Sequence, residues 1–144
     1  MRTQRIQGTA RTMGVLRTGS VRFVYRHLAI LGPPSVQAAI AAECAHEQGK
    51  FWPYHDRLFA NQQRLSASDL KQYAADVGLD AARFTACMDS HKYAPLIDAD
   101  IKAGNDAGVS GTPAFFINGR LLSGAQPFDA FKKIIDEELD MKKR

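Results

Sequence analysis

The stretch Gly108-Val-Ser-Gly-Thr-Pro-Ala-Phe-Phe-Ile-Asn-Gly119 decides the fold of this chain. It contains a short apolar strand, Ala114–Asn118, that begins directly after Pro113, which is unusual for an ordinary strand. A cis Thr112–Pro113 bond explains the arrangement, because a cis X–Pro bond costs little and reverses the chain tightly. Asn118-Gly119 is the strongest short-range signal for a hairpin turn. We therefore predict a cis-proline loop followed by a hairpin; an ordinary turn before a hairpin is the alternative.

The residues after this turn predict a return strand and a closing helix. Arg120–Leu122 is the return strand, and Gln126-Pro127 opens the helix. The helix is amphipathic because its apolar residues recur at helical spacing, namely Phe128, Phe131, Ile134, Ile135 and Leu139. The basic end Lys142–Arg144 suits a helix C-terminus, where positive charge is favourable.

The residues before Gly108 predict a block of helices. Caps and helix-ending glycines mark its boundaries, and the five predicted helices are Ser35–Gln48, Phe51–Asn61, Ser66–Gly78, Asp80–Ser90 and Tyr93–Ala107. Ahead of them, Val21–His27 is rich in β-branched and aromatic residues, which predicts a strand that Gly32-Pro33-Pro34 stops. The predicted order is strand, helical block, strand, strand, helix.

The charge of the chain is uneven. The 144 residues have a net charge of +4, yet the first acidic residue is Glu43. Residues 1–20 predict an irregular basic stretch, with Met13–Arg17 as a candidate short strand. Such a stretch could bind nucleic acid, but its lack of aromatic side chains disfavours single-strand binding. We predict a solvated tail and no nucleic-acid partner.

The apolar patterning predicts one domain without a membrane partner. No apolar run is long enough to span a bilayer. No apolar segment follows the basic N-terminus, so a signal peptide is not visible. As it stands, the chain is predicted to be cytoplasmic.

The sequence resembles the DsbA-type thiol:disulfide oxidoreductases of the thioredoxin superfamily. The resemblance rests on Gly108–Gly119, on the helical stretches Ala41–Trp52 and Phe84–Ser90, and covers about Val21 to Leu139. It implies an α/β, thioredoxin-like fold with an inserted helical domain. Residues 21–32 and 109–144 would form the core, and residues 35–108 the insertion.

The resemblance also implies a substrate-binding loop, Ser110-Gly111-Thr112-Pro113. In the family this loop faces the active-site cysteines, and its backbone edge pairs with extended peptides. The implied partners are therefore extended peptides or protein thiols. Members of the family are usually exported to the periplasm or cell envelope, which leaves the location of this chain open.

The departure from the family is the missing Cys-x-x-Cys pair. In the family, a strand and a helix with this pair precede the equivalent of Val21–His27. Here residues 1–20 contain no cysteine. We therefore predict no catalytic residue and no disulfide exchange by the usual mechanism. The chain is either N-terminally incomplete or has lost this chemistry, and its first strand and active-site helix are missing or replaced.

The two cysteines, Cys44 and Cys87, are too far apart in sequence for a local redox or zinc motif. From the residues alone they are free core thiols or a long-range disulfide. The resemblance favours a structural disulfide, since some family members have a second pair there. Glu43, His46 and Glu47 lie on one helix, but we interpret them as a solvated face and expect neither metal nor cofactor.

Three functions remain open at this point. The first is a DsbA-type oxidoreductase, and the second is a non-catalytic module that binds peptides through Ser110–Pro113. The third is a glutathione-transferase or isomerase relative with the same architecture. Without the active-site strand, Val21–His27 and Ala114–Asn118 would lack a neighbour. We expect Met13–Arg17, an exchanged segment, or a homodimer through the exposed sheet edge to fill that place.

Overall fold

The computed structural model describes residues 19–144. In chain order the elements are the helices α1 (Pro33–His46), α2 (Phe51–Ala60), α3 (Ala67–Asp76), α4 (Ala81–Ser90) and α5 (Ala94–Asp106), the strands β1 (Ala114–Ile117) and β2 (Arg120–Ser123), and the helix α6 (Phe128–Lys142). The chain divides into two compact units. We call Arg26–Ala107 the helical unit, and residues 19–25 with 108–144 the hairpin unit.

The helical unit is built around α1, whose sequence is mostly alanine. A helix that is apolar all round is buried, and α1 has Ala41 and Cys44 fully enclosed and Ile40 only 2% exposed. The small side chains of α1 let its neighbours pack closely. Helices α2, α3, α4 and α5 all contact it. Their largest fully buried side chains are Tyr54, Leu70, Phe84 and Ile97.

Caps and loop contacts set the boundaries of these helices. Ser66 and Asp69 form a reciprocal capping box at the start of α3, which satisfies backbone donors at that end. Asp80 caps α4 by accepting from the Arg83 N–H. The Lys50 ammonium donates to the carbonyls of Val77 at 2.8 Å and Gly78 at 3.2 Å. These bonds fix the loop between α1 and α2 against the end of α3.

The hairpin unit contains the antiparallel pair β1–β2, in which Phe115 lies opposite Leu122 and Phe116 opposite Leu121. Asn118 and Gly119 have φ of 48° and 84°, as the predicted tight turn requires. Successive strand residues point to opposite faces. Phe116 and Leu121 are therefore on one face, where both are about half exposed (49% and 51%). The homodimer through this sheet stays a prediction.

Helix α6 packs on the other face of the hairpin. The rings of Phe115 and Phe131 meet edge to face, with centroids 4.7 Å apart. At the turn end, the Arg120 guanidinium donates to Glu137 at 2.8 Å and Glu138 at 3.3 Å. The amphipathic pattern that predicts α6 thus positions its apolar side on β1 and its acids beside the turn.

Two predicted elements differ from the structure. Val21–His27 is irregular and does not form a strand. β propensity gives a strand only where a neighbouring strand is available, and the sheet formed by residues 19–144 consists of β1 and β2. Gly32-Pro33-Pro34 does not only stop the preceding segment. Gly32 is the N-cap of α1 and the prolines form its first turn, where proline is tolerated. The candidate strand Met13–Arg17 lies outside the described residues.

Candidate functional site

The loop Ser110–Pro113 precedes β1 directly. The Thr112–Pro113 peptide bond is cis, the isomer that the sequence predicts. The Pro113 carbonyl accepts a hydrogen bond from the Gly124 N–H at 2.8 Å, which ties the loop to the residue after β2. Ser110, Gly111 and Thr112 are exposed. The loop is therefore held at its base while its tip is open to solvent.

Gly111 of this loop has room for a side chain. A Cβ atom placed there would meet no atom within 4 Å. By contrast, Gly108 has a φ of 76°, a left-handed conformation that L side chains rarely adopt. A side chain can thus be added at Gly111 without altering the backbone of the loop.

Cys44 and Cys87 are joined by a disulfide. Their Cα atoms are 5.8 Å apart, although 43 residues separate them in sequence. The bond links the last turn of α1 to the last turn of α4. Cys44 is fully buried and Cys87 is 4% exposed. The separation lies within the roughly 7 Å that a disulfide allows, and both cysteines of the chain are used.

An open depression of about 510 Å³ borders the disulfide, lined by Glu47, Arg83, Ala86, Cys87, Ser90 and Lys92. Glu47 forms an ion pair with Lys92. Hydrogen bonds from Lys92 and Tyr93 lower the pKa of the Glu47 carboxyl. Burial, together with the hydrogen bond to Glu47, raises the pKa of Tyr93 to about 12. The depression therefore has fixed charges of both signs at its rim.

A polar network around His27 was not found by sequence reasoning. His27 is 6% exposed, and its Nε2 lies 2.8 Å from Glu43 Oε1. Its backbone N–H donates to Asp100 Oδ2 at 2.9 Å, while the Arg26 guanidinium donates to Asp100 Oδ1. The solvated-face interpretation is thus wrong for Glu43, although His46 and Glu47 are exposed. The contact joins residues 16 positions apart, so helical spacing alone could not reveal it.

The aromatic residues of α2 divide between the core and the surface. Tyr54 is fully buried, but Trp52 is 47% exposed and Phe59 38% exposed. His55 lies between them, with ring centroids 5.3 Å from Trp52 and 4.5 Å from Phe59. Tyr54 donates its hydroxyl to the Leu70 carbonyl at 3.0 Å, and burial raises its pKa. One side of α2 is therefore core, and the other is an aromatic surface.

Neither a cluster of metal-binding side chains nor a membrane-crossing helix is found among the described residues. Among residues 19–144, no group of three or more His, Cys, Asp or Glu side chains is placed to hold a metal ion. In the same part of the chain, no helix has the length and apolar character needed to cross a membrane.

The cis-proline loop, the hairpin and its helix define a protein of the thioredoxin class. A family model described as thioredoxin matches residues 12–137. Since the match covers most of the chain, this chain belongs to the thioredoxin family.

Two solved structures have a fold similar to that of this chain. Thiol-disulfide exchange protein alpha-DsbA2 from Wolbachia pipientis has a TM-score of 0.80 at 22% identity, over 92% of this chain and 73% of that chain. A thioredoxin-like oxidoreductase from Silicibacter pomeroyi DSS-3 has a TM-score of 0.74 at 26% identity, over 92% and 78%. The predicted thioredoxin-like fold class is confirmed, and the fold is similar to that of alpha-DsbA2.

The curated relatives that match this chain are named as Na(+)/H(+) antiporters. Na(+)/H(+) antiporter NhaA 3 from Salinispora tropica is 42% identical over 118 residues, covering 81% of this chain and 18% of the antiporter. Na(+)/H(+) antiporter NhaA from Herminiimonas arsenicoxydans is 40% identical over 105 residues, covering 73% of this chain and 17% of the antiporter. The chain therefore spans less than a fifth of the length of these relatives.

Proposed function

We propose that this chain is a DsbA-like thioredoxin-fold module that binds extended peptide or protein segments and does not turn over disulfides. The observation that supports the lack of turnover is the state of the cysteines. The chain has two, and both are joined in one disulfide with exposures of 0% and 4%. Exchange with a protein substrate needs a sulfur that the substrate can reach, and at these exposures neither sulfur is open to a partner of that size.

The Ser110–Pro113 loop supports the binding part of the proposal. Extended peptides bind protein edges through main-chain hydrogen bonds. The tip of this loop is exposed, and its base is fixed by the bond between Gly124 and Pro113. A fixed, exposed backbone segment loses little conformational freedom when a peptide pairs with it.

Turnover is tested by insulin reduction with dithiothreitol, with thioredoxin as the positive control. We expect the chain to leave the rate at its buffer value. A rate close to that of thioredoxin would overturn the proposal that this chain lacks the exchange activity.

Binding is tested with a reduced, carboxymethylated protein as an unfolded probe that contains no disulfide. Gly111→Arg is expected to weaken its binding because the added side chain projects from an exposed loop without a clash. Gly111→Ala adds only a methyl group at the same position and should weaken binding less than Gly111→Arg. Ala75→Arg, at an exposed position of α3, is the matched control because it adds the same side chain away from the loop. Equal binding by all three variants would exclude this loop as the binding edge.

The antiporter relatives favour a second candidate, an accessory segment of a Na⁺/H⁺ antiporter. Its support is the 42% identity to a segment of the Salinispora tropica protein. The test uses membrane vesicles that contain this antiporter without its matching segment. If the candidate is correct, adding the purified chain changes Na⁺/H⁺ exchange; unchanged exchange would exclude it.

A further inference from the structure

The two halves of the disulfide differ in their access to a reactant. Cys44 lies in the last turn of α1, where it is fully enclosed. Cys87 is 4% exposed and borders the open depression between α4 and Lys92. A reactant that approaches from solvent therefore reaches Cys87 before it reaches Cys44.

The charges at the depression indicate which reactant fits. Arg83 lies one turn before Cys87 on α4, so their side chains share a face. Within residues 19–144 the Arg83 guanidinium has no ion-pair partner, whereas Lys92 is paired with Glu47. The charged residues that line the depression, Arg83, Lys92 and Glu47, therefore sum to +1. Nearby positive charge stabilises a thiolate and attracts an anionic reactant.

Forming the disulfide requires an oxidant. The 144 residues contain two cysteines, and the bond uses both, so these residues hold no third thiol for internal exchange. We propose that Cys87 is the entry site for an anionic small-molecule disulfide of the glutathione disulfide class, and that Cys44 is the resolving thiol. This step makes the chain's own disulfide and is separate from the proposed binding function.

The exchange has two balanced steps. The Cys87 thiolate attacks one sulfur of glutathione disulfide, so a mixed disulfide forms on Cys87 and one glutathione thiolate leaves. The Cys44 thiolate then attacks the Cys87 sulfur, which forms the Cys44–Cys87 bond and releases the second glutathione. The chain loses two electrons and two protons, and one glutathione disulfide is reduced to two thiols.

The test compares two single-cysteine variants of the full chain. Cys44→Ser retains Cys87, and Cys87→Ser retains Cys44. With oxidised glutathione, we expect Cys44→Ser to form the mixed disulfide about tenfold faster, because its thiol is the reachable one. Mass spectrometry measures the adduct. In denaturing urea the two rates should converge, since the difference comes from the fold.

The charge at the depression is tested by Arg83→Ala in the Cys44→Ser background. We expect severalfold slower reaction with oxidised glutathione at low salt and no slowing with cystamine, a cationic disulfide. Arg64→Ala, an arginine whose partner is Asp69 on α3, is the matched control and should leave both rates unchanged.

A third measurement does not depend on how well the variants fold. The reduced wild-type chain is mixed with oxidised glutathione, quenched early by alkylation, and mapped by peptide mass spectrometry. Glutathione on Cys87 is the expected result. Glutathione mainly on Cys44, an equal or faster reaction of Cys87→Ser, or an Arg83→Ala effect that is the same for both disulfides would overturn the proposal.

Discussion

The helical unit and the hairpin unit differ in how they are stabilised. Among residues 19–144, every side chain that is buried belongs to the helical unit, including Tyr54, Phe84 and Ile97. The described residues of the hairpin unit are half-buried or exposed, and its best ring contact joins the half-buried Phe115 and Phe131. The helical unit also contains the disulfide.

This difference follows from the composition of the two units. The alanine-rich α1 lets four other helices pack around it, so large side chains become fully enclosed. A hairpin with one helix can cover only one face of its strands, which leaves Phe116 and Leu121 exposed. We therefore expect equivalent substitutions to destabilise the helical unit more than the hairpin unit. The candidate binding loop, Ser110–Pro113, belongs to the hairpin unit, which is the less buried of the two.

The largest effect is expected from truncating a core aromatic residue. Phe84→Ala should lower the free energy of unfolding by about 3–5 kcal/mol, because it leaves a cavity at a side chain that is 1% exposed. Phe131→Ala, the matched change in the hairpin unit, should cost only about 1–2 kcal/mol because its ring is half-buried. Urea denaturation followed by circular dichroism measures both. Equal losses would contradict the comparison.

Removing the disulfide is expected to have the next largest effect. The bond closes a loop with a sequence separation of 43, and the chain-entropy account gives a loss of about 3–4 kcal/mol on reduction. The measurement is the urea midpoint with and without dithiothreitol. The double variant Cys44→Ala, Cys87→Ala serves as control. Its urea midpoint should match that of the reduced chain and should be the same with and without dithiothreitol. A midpoint unaffected by reduction would show that the bond adds little.

In both units the sequence predicts best the features that depend on neighbouring residues. Local signals were sufficient for the hairpin turn at Asn118-Gly119 and for the capping box of Ser66 and Asp69, because each depends on residues a few positions apart. The stretch that includes Thr112–Pro113 supported both the family resemblance and the prediction of a cis peptide bond, which the structure has. The Cys44–Cys87 pairing came from the family resemblance, since sequence spacing left it open.

The failures involve partners that are distant in sequence. Val21–His27 has strand composition, yet a strand requires a neighbour that composition does not specify. Glu43 was assigned to a solvated face from its helical neighbours, whereas its partner His27 lies outside that helix. For α1, the prolines after Gly32 were interpreted as a stop, because proline marks both a break and a first helical turn.

A buried hydrogen bond should have a smaller effect than either loss described above. Tyr54→Phe removes the bond from the buried hydroxyl to the Leu70 carbonyl, and we expect a loss of about 1 kcal/mol. Arg120→Ala in the hairpin unit removes two exposed ion pairs and should cost less, because solvent screens such pairs. Chemical denaturation of the two variants tests the order, and a larger loss for Arg120→Ala would reverse it.

The smallest expected effect is a pH dependence at Glu47. Hydrogen bonds from Lys92 and Tyr93 lower the pKa of this carboxyl in the folded chain. A carboxyl whose pKa is lower when folded stabilises the chain above its unfolded pKa, and this contribution is lost as the pH falls through the folded pKa. Glu47→Gln and Lys92→Met should therefore both flatten the fall in melting temperature on acidification. Lys132→Met, which breaks an exposed pair with Asp136 on α6, should leave the acid dependence that arises at Glu47 in place. If Glu47→Gln keeps the full wild-type acid dependence, the pair at the rim of the depression does not contribute to stability.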